Sequence, residues 1–396
     1  MARMVLNETS YFGAGCRHEL AGELKRRGYT SALVVTDKDL VRFGVAKMVT
    51  DVLDKAGVKY ASFDDIKANP TVKNVQDCLA EFNAAKPDVI IAIGGGSVID
   101  TAKAVSIIVE NPDFSDVVSL EGVADTKKRG FPLVAFATTS GTAAEVTINY
   151  VITDEKAHRK LVCVDPNDIP TLAFNDAEMM MSMPKGLTAS TGMDALTHAI
   201  ESYITPGATP ISDLLSWNSI KFISENLRTA VADGKNAEAR EKMALGSYVT
   251  GMAFSNVGLG IVHSMAHPLG ARFDIAHGVA NALLLPFVME YNKPAALPKY
   301  ADIARAMGVD VKGLSPEAAA DAAIDAVKKL SVDIGIPQRL SDIGIKAEDL
   351  PQLAEDAFID PCTGGNPRKT SVADILEIYK KALERRRNRQ EPLSER

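Results

Sequence analysis

The sequence predicts an α/β N-terminal domain followed by an all-α C-terminal domain. Three observations carry this reading. Short runs rich in valine and isoleucine recur in the first half, at Ala32–Thr36, Val89–Ile93 and Leu133–Ala137. Each run ends in small, polar or glycine residues: Asp37, then Gly94–Gly96, then Thr138–Gly141. Beyond Met183-Pro184 the strand signal fades and long stretches of helical apolar spacing replace it. Alternating strand and helix signals argue for a parallel sheet with helices on its faces, whose ligands bind at the carboxyl ends of the strands.

Taken in order, Val45–Ala56 carries helical spacing after the first strand, and Leu161–Val164 and Leu172–Phe174 read as further strands. The helices of the second half are expected at Thr188–Tyr203, Ile211–Thr229, Ala237–Ser255, Pro316–Leu330 and Ser371–Ala382. A chain of 396 residues exceeds what one core usually fills. The boundary is therefore placed near Pro184, giving domains 1–183 and 184–396. The charged segment 384–396 lacks apolar periodicity and is expected to be disordered.

The net charge of -7 disfavours a nucleic-acid or anionic-membrane partner, although Arg385, Arg386, Arg387 and Arg389 form a local basic patch. No stretch reaches the roughly 20 apolar residues of a membrane helix. Met1–Gly13 lacks the apolar core of a signal peptide. Cys16, Cys78, Cys163 and Cys362 are far apart, with no CxxC pair, which fits a reducing compartment. A cytoplasmic protein is the expectation.

Four of the six histidines lie in the helical half. Asp194 and His198 stand at i and i+4, so a helix sets one oxygen and one imidazole on the same face. His263 and His267 repeat that spacing, and His277-Gly278 arrives after an expected break at Pro268–Gly270. This is not HExxH, because no glutamate supplies a base. A set of histidines with one aspartate suits Fe²⁺ or Zn²⁺ and is too nitrogen-rich for Mg²⁺ or Ca²⁺. Only some of the four histidines need be ligands. Taken singly, an Asp–His pair is often just a local hydrogen bond.

Gly94-Gly95-Gly96-Ser97 follows a buried strand and opens a helix containing Asp100 and Lys103. Glycines let a backbone approach a pyrophosphate, and a helix N-terminus offers amide donors to it. A tight turn is the plainer alternative. The run does not match G-x-G-x-x-G, and the best acidic partner, Asp37, precedes it. At a strand end Asp37 could accept from a ribose 2′-hydroxyl and repel a 2′-phosphate, favouring NAD over NADP. Thr138-Thr139-Ser140-Gly141-Thr142 offers hydroxyls and amides at the third strand end, or an ordinary turn and cap.

Together, Gly94–Ser97 with Asp100 and Lys103, Thr138–Thr142, Gly192-Met-Asp-Ala-Leu-Thr-His-Ala-Ile-Glu201, and His263-Ser-Met-Ala-His267 through His277-Gly278 resemble the iron-dependent (group III) alcohol dehydrogenases. The resemblance runs from about Met4 to Leu383. It implies a dinucleotide-binding N-terminal domain and a metal-binding helical domain, in the fold shared with dehydroquinate synthase. It implies metal ligands Asp194, His198, His263 and His277, with Fe²⁺ the usual metal, and His267 beside the nicotinamide, where it or the cofactor ribose could relay a proton. NAD contacts fall on Asp37, Asn69, Gly95, Gly96, Ser97, Val98, Thr138, Thr139, Thr142 and Lys160. The substrate pocket falls on Asn149, Phe254, Leu259 and Cys362. A homodimer is implied too, with the N-terminal strand contributing. Met4–Thr9, Glu145–Asp154, Cys163–Pro166 and Cys362–Arg368 lie outside the shared motifs and resemble a subfamily acting on lactaldehyde and 1,2-propanediol. A general short-chain alcohol dehydrogenase and a lyase of dehydroquinate synthase type are the alternatives. Ala271–His277 departs from the aromatic-rich approach to the last histidine, and the arginine-rich tail has no counterpart in the family.

Overall fold

The computed structural model describes residues 3–383. The arginine-rich segment 384–396, expected to be disordered, lies outside the described residues. The strands are β1 (Thr9–Phe12), β2 (Ser31–Val35), β3 (Lys59–Phe63), β4 (Val89–Gly94), β5 (Leu133–Ala137), β6 (Asn149–Asp154), β7 (Arg159–Val164) and β8 (Leu172–Asn175). Six of them form a parallel sheet in the order β1-β8-β5-β4-β2-β3, and β6 and β7 pair as an antiparallel hairpin. The helices between them are α1 (Leu20–Arg27), α2 (Lys38–Arg42), α3 (Val45–Ala56), α4 (Val72–Ala85) and α5 (Gly96–Glu110).

The central strands read as unbroken apolar runs because both faces are covered. Ile90 and Ala92 of β4 face a core with α4 and α5, whereas Val89, Ile91 and Ile93 face one with α1 and α3. The chain leaves β2 toward β3 on one side, and leaves β4 toward β5 on the other. The carboxyl ends of β2 and β4 thus flank a topological switch point, where such sheets hold ligands. Asp37 follows β2 and Gly94–Gly96 close β4, so both stand at this point.

From Lys185 on, the described residues form helices joined by loops, with no strand: α6 (Lys185–Ile204), α7 (Pro210–Ala232), α8 (Ala237–Val257), α9 (Ile261–Phe273), α10 (His277–Asn292), α11 (Leu297–Ala306), α12 (Pro316–Asp333), α13 (Leu350–Ile359) and α14 (Val372–Leu383). Helix α6 is buried over most of its length. Its small residues permit this, and a Cβ on Gly192 would sit 2.3 Å from Leu227. No single helix among the described residues is long and apolar enough to cross a membrane.

One expectation needs correction, and three strands escaped the sequence reading. The break expected at Pro268–Gly270 does not occur: α9 runs through Pro268 to Phe273, and ends at Asp274 in the left-handed conformation (φ 53). Pro268 lies two turns inside α9 and removes one backbone donor, a cost that the surrounding buried contacts of Met265, Ala266 and Leu269 outweigh. Strands β1, β3 and β6 carried no strong sequence signal. β1 and β3 are sheet edges with mostly half-exposed residues, so they lack the continuous apolar run of β4.

Candidate functional site

Asp194, His198 and Glu201 form one stripe along α6, because steps of four and three residues return nearly to the same helical angle. Helix α9 presents His263 and His267 by the same rule, and α10 begins at His277 with Asn281 one turn on. The start of α10 lies against α6 backbone: a Cβ on Gly278 would sit 2.5 Å from the Ser190 carbonyl oxygen. That close approach brings His277 to Asp194, with Nε2 and Oδ1 3.6 Å apart.

One potential ligand atom from each of Asp194, His198, His263 and His277 falls within 4.8 Å of all the others. His263 Nε2 is 2.9 Å from His198 Nε2. Phe254 stacks on the His198 ring, with centroids 4.2 Å apart. Burial pushes all three imidazoles toward the neutral form, His263 well down and His277 to about 4. Three neutral imidazoles and a carboxylate are the donor set that a divalent transition metal takes. The fourth histidine turns away: His267 Nδ1 pairs with Asp360 Oδ2 at 2.7 Å, while its ring stacks on His277 with centroids 5.4 Å apart.

Three residues that the sequence reading did not single out support this cluster. Glu201 Oε2 is 2.5 Å from His263 Nδ1, and Glu201 Oε1 accepts from Val262 N. Burial raises the Glu201 carboxyl to about 8. A cation at His263 Nε2 favours the arrangement with Glu201 ionised and the proton on Nδ1, the usual outer partner of a metal-bound histidine. Asn281 reaches three of the four ligand residues, and Asp360 holds His267. Glu201 and Asn281 were legible as the next positions on faces already chosen. Asp360 was not, since it lies 93 residues from its partner.

A cavity of about 800 Å³, counting its open mouth, joins the cluster to the sheet edge. His198, His263, His267 and His277 line it, with Asn149, Phe254, Leu259 and Cys362, all four expected pocket residues. Gly96, Ser97, Thr142, Asn69 and Lys160 line it too. Asp100, Thr147 and Val151 join them without having been proposed as contacts. The remaining expected cofactor residues lie outside the lining. Asp37 stands half-buried at the end of β2, where it caps α2 by accepting from Leu40 N at 2.8 Å. The Val98 side chain is buried in the core between sheet and α5, and leaves only its backbone for a ligand. Thr138 is buried, and its N–H donates to the Gly94 carbonyl.

The glycine run has a more specific cause than either sequence reading. A Cβ on Gly95 would meet Thr139 at 3.1 Å, and one on Gly96 would meet Thr142 at 2.7 Å. The glycines let the β4 and β5 loops close on each other, which narrows the floor of the cavity. Beneath it Lys103, wholly buried, donates to the carbonyls of Thr147 and Asn149 and pairs with Asp168 at 3.8 Å. That anchors the segment carrying Asn149. At the mouth, Lys160 Nζ donates to Asn69 Oδ1 (2.9 Å) and Thr153 Oγ1 (2.8 Å), and Asn69 Nδ2 donates to Asp274 Oδ1 (2.7 Å). Burial lowers Lys160 to about 8 against the pull of Asp274 and Asp100. This chain of contacts joins the α/β half to the end of α9.

Two family models match the chain: iron-containing alcohol dehydrogenase over residues 7–177, and the C-terminal region of the Fe-containing alcohol dehydrogenase family over residues 188–383. The chain belongs to the iron-containing alcohol dehydrogenase family. As a member of that family it is an oxidoreductase, and the Asp/His cluster and sheet-edge cavity are the parts such an enzyme needs for iron and NAD. It is 56% identical over 377 residues to lactaldehyde reductase of Escherichia coli, covering 95% of this chain and 98% of that protein. A solved 1,3-propanediol oxidoreductase superposes with a TM-score of 0.94 at 42% identity, over 97% of this chain and 100% of the other. Sulfoacetaldehyde reductase from Bifidobacterium kashiwanohense, solved in complex with NAD+, gives 0.85 at 30% identity, over 96% and 98%.

Proposed function

We propose that this dehydrogenase interconverts lactaldehyde and 1,2-propanediol with NAD(H), holding Fe²⁺ on Asp194, His198, His263 and His277. The observation that carries the reading is the meeting of those four side chains beside a cavity that their three histidines line together with Gly96, Ser97 and Thr142. The identity to lactaldehyde reductase supports the substrate. The boundary expected near Pro184 lies between β8 and α6, so residues of both halves line the cavity.

When bound, the metal and the nicotinamide would supply polarisation of a carbonyl oxygen and a hydride. The chain's own residues do the rest. Gly95, Gly96, Ser97 and the start of α5 offer amides to a pyrophosphate. Asn69, Thr142 and Lys160 line the route from there to the histidines. Phe254, Leu259 and Cys362 give a small, mainly apolar seat, and burial keeps the Cys362 thiol protonated. His267, oriented by Asp360, is the group placed to pass a proton to or from the product oxygen. Asp37 at the end of β2 favours NAD over NADP by charge. The reading also includes a cytosolic homodimer. Four unpaired cysteines support the compartment, and the outer edge of β1, unpaired within the sheet, supports the assembly.

The test is anaerobic NADH oxidation by Fe²⁺-reconstituted protein on L-lactaldehyde, glycolaldehyde and propanal, with a chelated control. Metal-dependent turnover that favours lactaldehyde is expected. Another preference would leave a general short-chain alcohol dehydrogenase. A lyase of dehydroquinate synthase type is disfavoured, because Lys160 is the one lysine or arginine among the described cavity-lining residues, and Asn69 and Thr153 already occupy it.

A further inference from the structure

The amide of Asn281 is fully buried and donates into the point where the ligand atoms meet. Its Nδ2 lies 2.7 Å from Asp194 Oδ1, 3.0 Å from His277 Nε2 and 3.1 Å from His263 Nε2. Its Oδ1 is buried with no partner. The opposite amide orientation would place that oxygen against a carboxylate oxygen at 2.7 Å, so the NH₂ must face inward. An NH₂ group accepts nothing. Each imidazole nitrogen it meets is therefore favoured as a lone pair, with the ring proton on Nδ1, and His198 Nε2, 2.9 Å from His263 Nε2, is then the donor of that contact. For His263 that proton has a partner in Glu201. A lone pair at Nε2 is also what a cation requires. An unsatisfied carbonyl in a buried site costs stability, and the sequence bears that cost at Asn281.

We propose that Asn281 is a positioning residue that selects the metal-ready tautomer: it holds His263 and His277 with Nε2 unprotonated and gathers them at Asp194 before a cation arrives. The inference rests on the metal site proposed above, but its first readout needs no metal.

The experiment is ¹⁵N-histidine NMR of the full, metal-free chain at pH 8, for wild type, N281L and N281D. Leucine keeps the volume and removes the donor, and aspartate keeps the shape but replaces the NH₂ with an oxygen that shares a proton with Asp194. Zn²⁺ and Fe²⁺ affinities are measured on the same proteins. In wild type, His263 and His277 are expected to carry the proton on Nδ1. In N281L the His277 proton shifts toward Nε2, and affinity for both metals falls about tenfold. N281D is expected to shift the His277 tautomer in the same direction, and it serves alone if N281L does not fold. Wild-type rings protonated on Nε2, or tautomers and affinities unchanged in the folded variants, overturn the inference. A wild-type chain with Nδ1-protonated rings that binds neither metal overturns the metal site instead.

Discussion

His267 Nδ1 and Asp360 Oδ2 stand 2.7 Å apart, both side chains buried, and the other Asp360 oxygen accepts from Cys362 N at 2.9 Å. One carboxylate therefore sets the ring orientation of the unliganded histidine and the turn that carries a pocket residue. Burial would raise the Asp360 carboxyl, but His267 and the bond to it outweigh burial and hold it below the usual range.

Asp360→Asn keeps the shape and removes the charge behind the imidazole. It should lower kcat about ten- to a hundredfold with the aldehyde KM nearly constant, and Asp360→Glu should recover part of the loss. Steady-state kinetics decide this: a raised KM at full kcat would make Asp360 only a scaffold for the pocket.

Asp194→Ala and His277→Ala should abolish turnover by loss of metal, because each removes a donor from a four-member set. Glu201→Gln should weaken metal affinity by about ten- to a hundredfold while leaving the ligands in place. Metal content after gel filtration checks both, and full occupancy with normal activity in either alanine variant removes the ligand assignment.

Glu145 is buried and accepts from Asn175 Nδ2 at 3.1 Å, and burial lifts its carboxyl to about 7. A carboxyl raised on folding binds its proton more tightly in the native chain, so this group costs stability as pH rises from about 4.5 to about 7, and no more beyond. Glu145→Gln should therefore match wild type near pH 5 and exceed it near pH 8 by on the order of 1–3 kcal/mol. Denaturant melts at the two pH values test the sign. Equal differences at both would show that the carboxyl does not titrate in this range.

Asp37→Gly removes the charge at the end of β2 and the cap on α2. The kcat/KM ratio of NADH to NADPH should fall by about tenfold or more, with a small loss of thermal stability from the missing cap. An unchanged ratio would leave Asp37 as a cap alone.

Much of this was legible beforehand. The central strands announced themselves because both faces are buried, so Val89–Ile93 had to be apolar throughout. Edge strands β1 and β3 bury less and carried no such mark. Asp194 with His198, and His263 with His267, were legible as pairs because helical spacing needs only local structure. The same rule extended by one more turn would have flagged Glu201 and Asn281. Asp100 was visible in its motif, but nothing local told that it would line the cavity.

The sequence by itself determined the buried central strands, several of the long helices, the pairs that share a helical face, and the polar residues at the strand ends, because those follow from the period of the local backbone. Only the tertiary structure decided which histidines meet. His263 and His267 are equivalent in spacing, yet one reaches Asp194 of α6 and the other Asp360 of a distant turn, partners that only the packing of the helices brings to α9. It also decided what the glycines are for: they give room to Thr139 and Thr142, side chains from a different strand end that no local pattern could have placed there.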